Sequence, residues 1–249
     1  MNDSILATIT EPVTRNASRE GNGSLPIVLV PGLFCTARLY EPQINPLWKF
    51  GPVTIADHTR DDSMLAIARR LLANAPPRFA LAGLSMGGYV SLEVFRQAPE
   101  RVAKLALLDT SARPDAPEQT ESRRKQIELA LGGKLGMVVE MALPTLIHRD
   151  ESVRAIVRQM AAETGAEAFA RQQKAIMGRA DSRPLLATIR CPTIIIVGAD
   201  DRLIPPDRSK EMADGIAGSR LVTIPDCGHL ATLEQPQQVT KALVDWLQG

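Results

Sequence analysis

Phe79-Ala80-Leu81-Ala82-Gly83-Leu84-Ser85-Met86-Gly87-Gly88 decides the fold of this chain. An apolar run enters Gly-x-Ser-x-Gly, and a second apolar stretch, Tyr89 to Phe95, leaves it. A strand turning directly into a helix with a serine at the corner forces strained backbone angles on that serine and leaves its hydroxyl exposed. Gly83 and Gly87 suit such a corner, because neighbouring chain approaches where a side chain would clash. The N–H of Met86, at the start of the helix, then points toward whatever the serine meets, with the helix's positive end behind it.

Outward from this corner, short β-branched runs recur at Pro26–Val30, Val53–Ala56, Val102–Leu108, Thr193–Val197 and Leu221–Ile224. Most are continuously apolar, as expected of parallel strands covered on both faces. Between them lie helical patterns. Met64, Ile67, Ala68, Leu71 and Leu72 form one stripe, which Asp61 or Asp62 can cap; Val239, Leu243, Trp246 and Leu247 form another, with Pro236 in its first turn. This alternation predicts an α/β fold, a mostly parallel open sheet with helices on both faces. Residues 1–24 are polar and would add an edge strand or a loose arm.

From Arg113 to Ile189 the alternation stops. Amphipathic helical segments punctuated by Gly132, Gly133, Gly136, Pro144, Gly165, Gly178 and Pro184 replace it, and the stretch is too long for a crossover. The expected organisation is a core of residues 1–112 and 190–249 with a helical cap, residues 113–189, inserted over the sheet's carboxyl edge, where ligands of open sheets bind.

Composition narrows the partners. The chain has 249 residues with 29 Lys+Arg against 28 Asp+Glu, which offers no clustered charge for nucleic acid or anionic membrane. Nine aromatics are too few for a base-stacking platform. An acid at Asp3 and the lack of an apolar leader point to a cytoplasmic protein, a monomer or small homo-oligomer. Cys35, Cys191 and Cys227 are odd in number and widely spaced, so neither a disulfide framework nor a metal set is expected. No metal or organic cofactor is called for, and three scattered histidines are too few for a zinc site.

A serine hydroxyl needs a base, and there are three histidines. His148 falls within the helical insertion. His58 follows a strand. His229, in Pro225-Asp226-Cys227-Gly228-His229, follows the strand Leu221–Ile224, and such a turn delivers an imidazole to the sheet edge that carries Ser85. A carboxylate should orient it. Asp200 and Asp201, after Thr193–Val197, both qualify; Asp109 is a weaker candidate, and Asp226 suits a turn. A free amide such as that of Leu33, in Val30-Pro31-Gly32-Leu33, could join Met86 in holding an oxyanion.

These pieces, together with Glu234 and Pro236 after Gly228-His229, resemble the α/β-hydrolase family over residues from about 25 to 249. Gly83-Leu84-Ser85-Met86-Gly87-Gly88 is most similar to small capped bacterial hydrolases, esterases and enol-lactone hydrolases among them. The resemblance implies Asp201, three residues after Gly198, as the acid. Relatives usually carry His-Gly where this chain has Pro31-Gly32, and the short N-terminal segment implies fewer than eight strands.

The expected activity is therefore hydrolysis of a small carboxylic ester or lactone through an acyl-enzyme, with Ser85, Asp201 and His229 as catalytic residues and Leu33 and Met86 as the oxyanion hole. The same residues could serve thioester, C–C bond, perhydrolase or acyl-transfer chemistry. A small-molecule receptor on the same fold is the non-enzymatic alternative. Met137, Met141, Leu143 and Leu146 would line an apolar pocket or form the cap's own core.

Overall fold

The computed structural model describes residues 24–249. The expectation for an N-terminal arm or edge strand lies outside them, except for Ser24. The chain runs through β1 (Ile27–Val30), a 3₁₀ turn at Ala37–Tyr40, α1 (Glu41–Trp48), β2 (Val53–Ile55), α2 (Met64–Asn74), β3 (Phe79–Leu84), α3 (Met86–Gln97) and β4 (Val102–Leu108). Four helices follow without a strand among them: α4 (Pro117–Leu129), α5 (Leu135–Leu146), α6 (Glu151–Met177) and α7 (Arg183–Leu186). The chain then returns through β5 (Thr193–Gly198), α8 (Pro206–Gly215), β6 (Arg220–Ile224), α9 (Ala231–Glu234) and α10 (Pro236–Gln248).

The six strands form one sheet in the order β2-β1-β3-β4-β5-β6, every neighbouring pair parallel. Alternation along each strand sends side chains to opposite faces. Ile27, Leu29, Ala80, Ala82, Ile194 and Ile196 join one core, with Leu47 of α1 and Val239, Leu243 and Trp246 of α10. Val28, Val30, Leu81, Leu105, Leu107 and Ile195 join the other, with Ile67 and Leu71 of α2, Val90 and Val94 of α3, and Met212 of α8. Both sheet faces are therefore buried, which is why the strands read as unbroken apolar runs.

One local expectation needs correction. The α2 cap is Ser63, whose side chain accepts from the Ala66 amide; Asp61 instead holds Arg70 through two hydrogen bonds. In the insertion, Pro117–Leu146 holds an 18-residue window hydrophobic enough for a membrane span. Gly132 and Gly133 depart from helical angles, Gly133 with φ of 79°, and divide it into α4 and α5. Both pack on α6, forming a helical cap whose Val138, Val139, Leu143 and Leu146 are buried with Val153, Val157 and Met160.

Candidate active site

Ser85 occupies the corner between β3 and α3 with φ of 56° and ψ of −116°, a conformation costing about 1–3 kcal/mol that the surroundings must enforce. The Ser85 amide donates to Leu108 O of β4, and its carbonyl accepts from the Gly88 amide and the Thr110 hydroxyl. A Cβ on Gly87 would lie 2.0 Å from Val30 O, and one on Gly83 2.2 Å from Gly87 O. The corner closes only because neither residue has a side chain.

His229 is delivered by the loop between β6 and α9. Its Nδ1 lies 2.8 Å from Asp201 Oδ2, and both side chains are buried. The Leu203 and Ile204 amides, each at 2.9 Å, hold the other carboxylate oxygen of Asp201. Asp201 thus stands beside the imidazole, whereas Asp200 is partly exposed and faces His148. Asp109 accepts from the Gly198 amide. Burial and then the Asp201 charge push its pKa well above that of an ordinary carboxyl.

Burial of the His229 ring works against its charged form. The Asp201 charge and hydrogen bond, followed by Asp109 and Glu234, outweigh that and raise its pKa above the ordinary histidine value. Ser85 and His229 face one cavity of about 460 Å³ between sheet and cap, with no hydrogen bond between hydroxyl and imidazole. Such bonds are often long until substrate is bound.

Gly32 and Leu33 line the same cavity, and a Cβ on Gly32 would lie 3.5 Å from Ser85 Cβ. Neither the Leu33 nor the Met86 amide has a protein acceptor among the described residues, so both remain available to a ligand. Two residues that sequence reasoning gave no such role hold this loop. His58 Nε2 is 2.9 Å from Gly32 O, and the Phe34 amide donates to Gln172 Oε1 of α6 at 3.0 Å. A carbonyl can only accept, so His58 Nε2 carries the proton; burial lowers its pKa and keeps the ring neutral. Phe34 itself adopts φ of 47°. A histidine from the β2 loop thus braces the segment that begins with Pro31.

The rest of the cavity is mixed. Leu33, Phe34, Val138, Met141, Leu146, Leu203 and Ile204 give apolar walls, while Glu118, Ser122, Arg123, Gln126 and Arg179 contribute polar groups. Of the four cap residues singled out, Met141 and Leu146 line the cavity, Leu143 is core and Met137 is exposed. The buried Asp115 carboxylate pairs with both Arg123 and Arg179. Cys35 also faces the cavity, but burial raises its thiol pKa to about 12, which leaves no thiolate at neutral pH.

With this geometry in view, comparison with known proteins identifies the class. The Alpha/beta hydrolase family matches residues 27–242, and the chain belongs to that family of hydrolases. It is 33% identical to a thermophilic esterase from Thermogutta terrifontis over 92% of this chain and 90% of the other, with a TM-score of 0.82. Against the enol-lactonase from Burkholderia xenovorans LB400 the identity is 26%, over 93% and 94% of the two chains, with a TM-score of 0.83. RutD of Variovorax paradoxus, provisionally named a carbamate hydrolase, is 28% identical over 89% of this chain and 91% of its own.

Proposed function

We propose that this protein is a serine hydrolase that cleaves a small carboxylic ester or lactone through an acyl-enzyme. The pairing of His229 Nδ1 with Asp201 at 2.8 Å carries the proposal, because it leaves Nε2 as the free basic nitrogen on the cavity that Ser85 faces. Ser85 Oγ attacks the carbonyl carbon while its proton passes to His229 Nε2. The Leu33 and Met86 amides hold the resulting oxyanion, and each such donor is typically worth about 10²–10³ in rate. Collapse expels the alkoxide, which takes the proton from His229; water, deprotonated by the same nitrogen, then releases the acid.

Similarity to the esterase and the enol-lactonase supports an ester or lactone carbonyl. The mixed walls suit a small substrate with an apolar body and a polar group directed toward Arg123 and Arg179. Ser85→Ala should lower turnover of a short p-nitrophenyl ester by at least about 10⁴-fold, with an unchanged circular dichroism spectrum. Turnover equal to that of the parent protein would refute the mechanism.

A further inference from the structure

A second cluster lies behind the proposed catalytic residues. His148 follows the end of α5 in the cap, Asp200 precedes Asp201 on the β5 loop, and Asp226 lies on the β6 loop three residues before His229. One donor atom from each lies within 4.8 Å of the others. These three residues are far apart in sequence, and no spacing motif connects them.

The His148 side chain is only 9% exposed, yet both of its ring nitrogens are buried without a hydrogen-bond partner. A neutral imidazole carries one donor and one acceptor, and leaving both unmet in the interior is costly. Asp200 Oδ2 lies 3.8 Å from Nε2, too far for a hydrogen bond. Donors on arms of 2.0–2.2 Å about a tetrahedral metal are separated by about 3.4 Å, so the gap is nearer to two ligands of one ion than to a direct contact.

We propose that His148, Asp200 and Asp226 bind a divalent first-row transition cation such as Zn²⁺ or Co²⁺. One neutral imidazole and two carboxylates supply two negative charges, matching the ion's charge. The nitrogen donor favours these ions over Mg²⁺ or Ca²⁺. Asp226 is exposed and Asp200 partly so, which provides an entry path and leaves coordination positions for water. The ion would fasten the cap to both loops that carry the Asp201–His229 pair. The same junction is already joined by His229 N–H to Leu146 O at 3.1 Å and by His148 N–H to Glu234 Oε2 at 2.7 Å.

The test uses full-length protein without a histidine tag, stripped with EDTA and titrated calorimetrically with ZnCl₂, CoCl₂ and MgCl₂. One equivalent of Zn²⁺ or Co²⁺ should bind and raise the melting temperature, with visible Co²⁺ bands reporting the imidazole ligand, while Mg²⁺ binds far more weakly. His148→Gln and Asp226→Asn should each weaken Zn²⁺ by at least about tenfold; Asn suits the left-handed angles of Asp226, whose φ is 48°. Ser85→Ala should bind like the parent, which separates this site from the proposed reaction. No Zn²⁺ or Co²⁺ binding below about 1 mM, equal binding by His148→Gln, or no preference over Mg²⁺ would overturn the proposal.

Discussion

At the scale of one residue, the proton on His229 is governed by opposing effects. Burial disfavours imidazolium, and the neighbouring carboxylates favour it more strongly. The proposed reaction needs the neutral ring, so activity is lost as pH falls through this raised pKa. The acid limb of kcat/KM should therefore be centred above 6.5, the ordinary histidine value. In Asp201→Asn the amide would donate to Nδ1 and force the proton onto Nε2. Turnover should fall about 10³–10⁴-fold, and the remaining acid limb should move to lower pH. A pH–rate profile of the two proteins reads both effects, and an unmoved limb would show that another group controls it.

At the scale of elements, the loop after β1 depends on partners from two other parts of the chain. His58 should act as a positioning residue, because its N–H fixes the Gly32 carbonyl and hence the amide that follows. His58→Ala should lower kcat about tenfold with little change in KM, since small displacements of a donor are costly in rate. His58→Gln, which can still donate, should recover much of the loss. An equal fall in melting temperature for both variants, without that rescue, would indicate a merely structural role.

The same loop shows where sequence reading stops. The strand–corner–helix segment was legible because its signal is local: Gly83, Ser85 and Gly87 lie within five positions, and apolar runs flank them. Gln172 was not, because its partner Phe34 is 138 positions away and nothing near Gln172 marks it. The α1 helix also escaped notice. Pro42 and Pro46 interrupt its pattern, and only Gln43 and Leu47 are buried along it. Asp201 could be preferred to Asp200 through family resemblance alone; in space, burial beside His229 separates them.

For the whole molecule, the junction of cap and core rests on a buried charge cluster. Asp115, 1% exposed, holds Arg123 of α4 and Arg179 beyond α6, and Arg179 also lies over the Tyr89 ring of α3 at 4.3 Å. Removing the shared carboxylate leaves two guanidinium groups without their counter-charge. Asp115→Ala should therefore destabilise the protein by about 3–5 kcal/mol in urea unfolding. A second substitution, Arg179→Met, should restore part of that loss, whereas a loss below about 1 kcal/mol would show that solvent already screens the cluster.

The order of strands has a consequence during synthesis. β4 pairs with β3 on one side and β5 on the other, but all of residues 109–192 must leave the ribosome before β5 begins to appear. For that interval the half-sheet of β2, β1, β3 and β4 ends in an apolar strand with an unmatched row of amides and carbonyls, a template for pairing with other nascent chains. Placing the insertion between β4 and β5 gives the mature protein its roof, and makes the wait for Thr193 the interval in which it is most exposed to aggregation.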